Sequence, residues 1–303
     1  MALQTSNFDN VTGITSKNIK FEAMNAFMTF KNEWKQIADL KTTGDKFTQY
    51  MSYEGFGALA EQTEGKDIQP VDFGEGYKTT APQKQFAYEV RISWAQRTFA
   101  AQNAGFTKTL GFYLARSARL RYEYTGAGIF NNGFTDSAAF HGADGKPLFS
   151  ATHPFKTTSE TYSNVLSAAD LGKTSTQSAL ITINQAKMEN NVPASLVTES
   201  LTISTDNVFV LPELLKSSLD PESANNTWNA IQDFNLKKQL DHFLTDTDSY
   251  YFKTDQSWLA IVQATAPFLA TESYPNKDIG ENIWLSFNSA FKDALGTYGN
   301  QGS

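Results

Sequence analysis

QKQFAYEVRISWAQRTFAAQNAGFTKTLGFYLARSARLRYEY, residues Gln83–Tyr124, changes its period part-way along, and that change decides the architecture. Phe86, Tyr88, Val90, Ile92 and Trp94 alternate with Ala87, Glu89, Arg91 and Ser93. Side chains in a strand point to opposite faces at a period of two, so the spacing predicts a half-buried strand with one aromatic face. Beyond Trp94, the residues Phe99, Phe106, Leu110, Tyr113, Ser117, Leu120 and Tyr124 recur every three to four positions among good helix formers. This predicts an amphipathic helix of roughly seven or eight turns, on the order of 40 Å at ~1.5 Å per residue. A long strand feeding a long helix suits a mechanical role better than a compact enzyme.

Upstream, Lys46–Tyr53 alternates as a second strand, and Glu54–Pro82 separates it from the first. That excursion is rich in glycine and carries Glu61, Glu64, Asp67, Asp72 and Glu75, with Lys66 near its middle. Hairpin loops ordinarily have two to five residues, so a loop of this size predicts a projecting functional tip. A two-stranded ribbon is marginal alone in water, and a neighbouring subunit is the expected support. Met1–Ser16 has too little to bury to fold by itself and reads as an arm. A helical patch follows, with Phe27, Phe30, Trp34 and Ile37 on one side; it packs on its own domain or docks on a neighbouring subunit.

Downstream, Gly126–Gly133 breaks the helical period. The next stretch, Phe134–Ser163, holds His141 and His153 with Asp144 between them. Zinc wants three or four ligands with orienting partners, and two imidazoles on a Gly/Pro-rich loop fall short. The structural reading is a tight turn at Asp144-Gly145, stiffened by Pro147 and Pro154 and anchored by Leu148 and Phe149. Leu166–Asn190 predicts a second helix with Ser167 as its N-cap. Leu201–Leu211 then predicts a strand whose end, Val208–Leu211, is a continuous apolar run. Pro212 follows in the first turn of a helix over Glu213–Ser218, where its missing N–H is harmless. Strands are expected at Tyr250–Phe252, Trp258–Gln263 and Asn282–Phe291, before the Gly-rich tail GTYGNQGS.

The chain of 303 residues can bury a sizeable core, and its 40% hydrophobic content includes no run of the ~18 to 20 apolar residues that a membrane span needs. The amino terminus lacks the regions of a secretory signal. Cysteine is absent, which excludes disulfides, thiolate metal sites and cysteine nucleophiles. Net charge is −7 and basic residues are scattered apart from Arg116, Arg119 and Arg121. Sequence-specific DNA binding would need a concentrated basic face. The three arginines read as a solvated or ion-paired helix face, or as a contact for a packaged polyanion or a neighbour's acidic loop. No phosphate loop, nucleophile elbow, HExxH or dinucleotide fingerprint occurs, and Thr245–Asp248 lacks the rest of a calcium loop. No cofactor or catalytic residue is expected. His242 reads as a solvated surface histidine.

The order of arm, extended hairpin, strand, long helix and second helix resembles the α+β Hong Kong 97-type fold of tailed-phage major capsid proteins. The strand–Pro–helix unit NVFVLPELLKSS, Asn207–Ser218, after a helix over Thr176–Asn190, fits that resemblance. So do the loop DGKPLFSATHP, Asp144–Pro154, and the ending NIWLSFNSAFKDALGTYGNQGS, which are similar to the phage Mu-type major head subunit. The resemblance implies an N-terminal arm at 1–30 and an extended hairpin loop at 51–82. It implies a peripheral domain of 31–50, 83–190 and 246–292 and an axial domain of 191–245 and 293–303. It also implies a head protein that assembles as pentamers and hexamers into an icosahedral shell around double-stranded DNA, which it contacts weakly and non-specifically. Scaffolding, portal and decoration proteins would be partners, and the virion capsid, made in the host cytoplasm, its location. Met1–Ser16 is too short for the cleaved scaffolding segment of many relatives. Candidate assembly residues are Lys66, Asp67, Asp72, Glu75, Arg116, Arg119, Arg121, Phe27, Phe30 and Trp34. A tail-tube or sheath subunit is the alternative, and a hydrolase using His141, His153 and Asp144 a further one.

Overall fold

The computed structural model describes residues 5–55, 59, 61, 62, 64, 65, 67, 68, 70, 74–96, 104–217 and 228–302. In chain order these form α1 (Thr5–Thr29), α2 (Trp34–Ile37), β1 (Asp39–Thr42), β2 (Phe47–Glu54), β3 (Gly74–Pro82), β4 (Lys84–Ile92) and α3 (Ala104–Asn131). There follow β5 (His153–Pro154), β6 (Thr161–Tyr162), α4 (Lys173–Asn184), β7 (Thr198–Ile203) and α5 (Val210–Lys216). The last elements are β8 (Lys237–Leu240), β9 (Tyr250–Thr254), β10 (Leu259–Ser273), β11 (Ile279–Phe291) and β12 (Thr297–Asn300).

The first sheet has the order β1-β10-β11-β4, with β1 parallel to β10 and the other pairs antiparallel. The alternation in β4 orients it as the sequence predicts: Ile92 is buried, and Phe86 and Val90 pack on the first core. Tyr88 shares their face yet is 67% exposed, because it fronts an open groove between β4 and α3 rather than the core. The core itself is built on stacked rings. Trp34 lies 5.5 Å from Tyr122, and Tyr122 lies 4.2 Å from Phe287 at 10°. The buried Tyr122 hydroxyl donates to Gln263 Oε1 at 2.5 Å, satisfying its polar end.

Helix α3 begins at Ala104 and runs through the glycine-containing stretch expected to break it, ending at Asn131; Phe99 lies outside the described residues. Glycine interrupts a helix only by ~1 kcal/mol relative to alanine, which packing can offset. A Cβ on Gly126 would stand 2.5 Å from the Trp34 side chain, and one on Gly111 would stand 2.6 Å from the Ile19 carbonyl. The small residues let α2 and α1 approach α3 closely. The segment read as an arm is thus largely the 25-residue helix α1 laid along α3, and Ile19 and Ala23 are buried there.

The hairpin is also rearranged. Its returning strand is β3, not the stretch from Gln83: Phe47 pairs with Pro82 and Glu54 with Gly74. Pro82 has no N–H and ends the ribbon, Gln83 donates to the Lys46 carbonyl at 3.1 Å, and β4 then leaves to join β11.

A second core gathers around a sheet of order β12-β9-β7-β8, covered by α4 and α5. Helix α4 and strand β9, assigned above to the first unit, contribute Leu180, Ile183, Tyr250 and Phe252 to this second core. Gly172, not Ser167, precedes the first turn of α4, and its N–H donates to Ser175 Oγ at 2.9 Å. The strand expected through Val208–Leu211 stops at Ile203. Phe209 is 80% exposed, and Val210 and Leu211 open α5, so Pro212 falls in its first turn. A four-residue apolar run fits one side of a short helix as well as a strand, and here Leu211 and Leu214 share the buried side. The Gly-rich tail is strand β12, buried along its length. Strand β10 runs ten residues beyond the expected Gln263, with register shifts around Thr265 that accommodate Pro267.

Candidate assembly surfaces

The loop after α3 is a rigid bracket. Gly145 adopts φ +74, the Lys146 N–H donates to Asp144 Oδ1 at 3.1 Å, and Leu148 and Phe149 are buried, as the turn reading requires. His153 is buried, stacks on Tyr162 at 5.0 Å and bonds through Nδ1 to Asp144 Oδ2 at 2.6 Å. His141 engages a different carboxylate, Asp136, at 2.7 Å. The hydrolase reading needed both histidines around Asp144, and the fold does not unite them. Among the described residues no group of three or more His, Asp or Glu side chains is arranged to hold a metal ion. Asn164 pins the bracket, donating to the carbonyls of Leu148, Ala294 and Thr297 at 2.7 to 3.1 Å.

Of the candidate aromatic residues in the amino-terminal segment, Trp34 and Phe27 pack on the first core, while Phe30 stays half-buried beside α3. Trp34 is buried in the first core, Phe27 packs 6.2 Å from Tyr122, and Phe30 meets Phe112 edge-on at 5.5 Å. The outer side of α1 instead presents Phe21, Met24 and Met28, all exposed. The three arginines diverge. Arg116 is exposed, Arg119 approaches Glu123 at 3.3 Å one turn away, and Arg121 lies 4.0 Å over the Phe86 ring. Asp67 and Glu75 are exposed on the hairpin, while Lys66 and Asp72 lie outside the described residues.

A buried carboxylate cluster joins three segments distant in sequence. Glu123 of α3, 0% exposed, accepts the N–H groups of Glu33 and Trp34 at 3.0 and 2.8 Å and so caps α2. Glu33 in turn accepts from the His242 N–H at 3.0 Å and meets its ring Nδ1 at 2.9 Å. His242 is therefore partnered rather than simply solvated. Asp241 beside it accepts from Phe243 N–H, while its Oδ2 is buried without a partner among the described residues. Burial pushes the Asp241 carboxyl up to about 6, with Glu33 and Glu123 adding to it. Burial likewise raises Glu123, against the two N–H bonds and Arg119. Burial acts on Glu33 too, but its bonds to His242 win and hold it below the usual carboxylate range. Nearby, Lys253 donates to the Ile37 carbonyl at 2.6 Å, closing the other end of α2. Sequence reasoning missed this cluster; an i,i+4 spacing on the helix could have shown the Arg119–Glu123 pair, but the other members come from distant segments.

The hairpin is held at both ends of its ribbon. Asn288 donates to the Pro82 carbonyl at 2.9 Å at the root, while at the far end Lys156 Nζ donates to the Gly76 carbonyl at 3.1 Å and Glu189 accepts the Gly55 N–H. Leu59 and Ile68, farther out, are almost fully exposed. No described helix is long and apolar enough to cross a membrane.

No family model and no curated protein sequence matches the chain. Solved structures do match it. The capsid of Cyanophage P-SCSP1u overlays with a TM-score of 0.56 at 9% identity, over 90% of this chain and 88% of that one. A virus-like particle from Pyrococcus furiosus gives 0.52 at 7% identity, over 94% and 98% of the two chains. The bacteriophage JBD30 capsid gives 0.50 at 10% identity over 89% of this chain, which spans 65% of the length of that one. The chain has the Hong Kong 97-type fold of these phage capsid structures.

Proposed function

We propose that this chain is the major capsid protein of a tailed phage, assembling as pentamers and hexamers into an icosahedral shell around double-stranded DNA. The observation that carries the reading is a fold similar to that of capsid subunits across about nine-tenths of the chain. In this reading the first core, with α3 as its spine, is the peripheral domain that bridges capsomers. The second core is the axial domain that meets its copies around each local symmetry axis. The hairpin lies across a neighbour, and many modest contacts summed over a closed lattice stabilise the shell without any one of them being strong.

The role is structural rather than catalytic. Scaffolding, portal and decoration proteins, synthesis in a host cytoplasm and residence in the virion belong to the same reading. The acidic balance, −7 overall, fits a container that holds DNA loosely enough for it to leave; a strongly basic inner lining in an assembled particle would count against that point. Electron microscopy of the purified chain, alone and co-expressed with a scaffold, tests the main reading. Closed shells are expected. Open tubes would move the chain to a tail, and dispersed monomers under every condition would sink the proposal.

A further inference from the structure

A groove of about 580 Å³ runs between the root of the hairpin, α3 and the loop after it. The chain carries 32 acids against 25 Lys and Arg, yet among the described residues no Asp or Glu lines this groove. Two cations line it instead. Lys84 stands two residues before Phe86 on the same face of β4, ~7 Å away along the strand, and the Arg121 guanidinium of α3 lies 4.0 Å over the Phe86 ring. Among the described residues neither cation has a carboxylate within 4.0 Å, and the third basic group of the lining, His141, is turned to Asp136.

The α3 side of the groove is bare without a packing reason. Gly111 and Gly126 make room for α1 and α2, but a Cβ on Gly128 would meet only Asn132 Nδ2, at an ordinary 3.8 Å. Glycine inside a helix forfeits stability that alanine would keep. At Gly128, which lines the groove, that loss leaves open space rather than a close helix contact. Ile129 and the exposed Phe140 wall the same space, and Thr125 and Ser289 add hydroxyls to it.

These features define a ligand. Two neighbouring cations without counter-charge call for a dianion, and a phosphate monoester carries about −1.5 to −2 at pH 7. The volume falls within the ~300–1,000 Å³ of sites for whole organic ligands, far more than a bare phosphate fills. An aromatic wall facing a helix stripped to its backbone suits a flat ring, and the hydroxyls suit a sugar between ring and phosphate. We propose that the groove binds a free nucleoside monophosphate, with its phosphate between Lys84 and Arg121 and its base against Gly128 and Phe140. The groove is complete within one chain, so this site goes beyond the shell reading and stands or falls apart from it.

Calorimetric titration of the full-length, dispersed chain with adenosine monophosphate at low salt tests it. Saturable binding of a single molecule per chain is expected. Adenosine, which lacks the phosphate, and inorganic phosphate, which lacks the ring, should each bind about tenfold more weakly or worse. Lys84→Gln and Arg121→Gln should each weaken the nucleotide by a similar factor and reduce its salt dependence, with circular dichroism unchanged. Gly128→Leu changes no charge and fills the groove from α3. It should abolish binding while leaving the thermal midpoint of the ligand-free protein unchanged or raised, a pairing that a glycine kept for packing would not give. Absence of saturable binding up to ~10 mM nucleotide overturns the proposal, as does binding that survives Gly128→Leu or both charge variants. So does inorganic phosphate binding as tightly as the nucleotide, or a Gly128→Leu midpoint that falls. A thymidine oligonucleotide that binds more tightly than the nucleotide would make the groove a track for a strand, and overturns it too.

Discussion

Replacing Asp241 by asparagine interrogates the carboxylate cluster through its pH dependence. The side chain is 1% exposed, and its carboxyl is raised from 3.8 to about 6. A carboxylate raised in the folded state contributes stability that is fully present below its unfolded value and lost as pH rises through its folded one. Here the loss runs from near pH 4 to above pH 6, and amounts to about 3 kcal/mol above pH 7. Asparagine cannot ionise, so the variant escapes it. Its Oδ1 can keep the 2.7 Å bond from Phe243 N–H, while its Nδ2 takes the place where Oδ2 has no partner. That orphaned amide costs about 1–3 kcal/mol at every pH, so the net gain at pH 7.5 is roughly 0–2 kcal/mol. The constant cost cancels when two pH values are compared. Between pH 5 and 7.5 the advantage of the variant over the wild type should grow by about 1.4 kcal/mol. Urea unfolding of the dispersed subunit, followed by tryptophan fluorescence with Trp34 beside the cluster, measures it. Glu123 shifts in the same direction as Asp241 but is common to both proteins, and Glu33 loses its contribution only at more acid pH. An advantage that stays constant across the window, or grows toward acid, refutes the reasoning.

Trp34→Ala removes a ring stacked on Tyr122 in the first core and should cost about 3–5 kcal/mol in thermal or urea unfolding. A mild effect on stability with a severe one on assembly would mean that this side chain faces a neighbour instead. Gly126→Ala puts a Cβ 2.5 Å from the Trp34 side chain and should destabilise by about 1–3 kcal/mol as α2 is pushed off α3. A neutral result in differential scanning calorimetry would show that α2 can move at no cost. Replacing residues 57–72 with a short Gly-containing turn leaves β2 and β3 intact and should yield a subunit with unchanged circular dichroism that assembles poorly. Normal shells from this variant would show that the hairpin tip is dispensable.

Strand β4 was legible because Phe86, Val90 and Ile92 must alternate to reach a one-sided core, and periodicity records burial directly. Strand β3 was not, since GEGYKTTAP has no apolar alternation; it is held by backbone pairing to β2, and Gly76 is there to let Ser52 approach. The distal half of β10 was hidden by Pro267, which a register shift absorbs. The glycines of α3 looked like a stop because their reason, Trp34 pressed against Gly126, lies in another segment. The bracket at Asp144 could be read because turn chemistry is local, and the exposed acids of the hairpin could be read from composition. The Glu33–Glu123–Asp241 cluster could not: only the fold brings positions so far apart in the chain together, and no spacing encodes it.

The ring stack at the centre of the first core also sets a schedule. Trp34, Tyr122 and Phe287 come from a helix near the start, the spine and the penultimate strand. On a ribosome adding ~5–20 residues per second, the roughly 250 residues between the first and last of these rings take about 12–50 s to make. Throughout that interval α1, α2 and the spine have no β11 to pack against, and β1 has no β10 to pair with. Pairings this distant in sequence also form slowly once the chain is complete. The hazardous moment for this protein is therefore its own synthesis, when many copies with uncovered aromatic faces share one cell. Yield of native subunit should depend on translation speed and folding helpers more than on the stability of the finished fold.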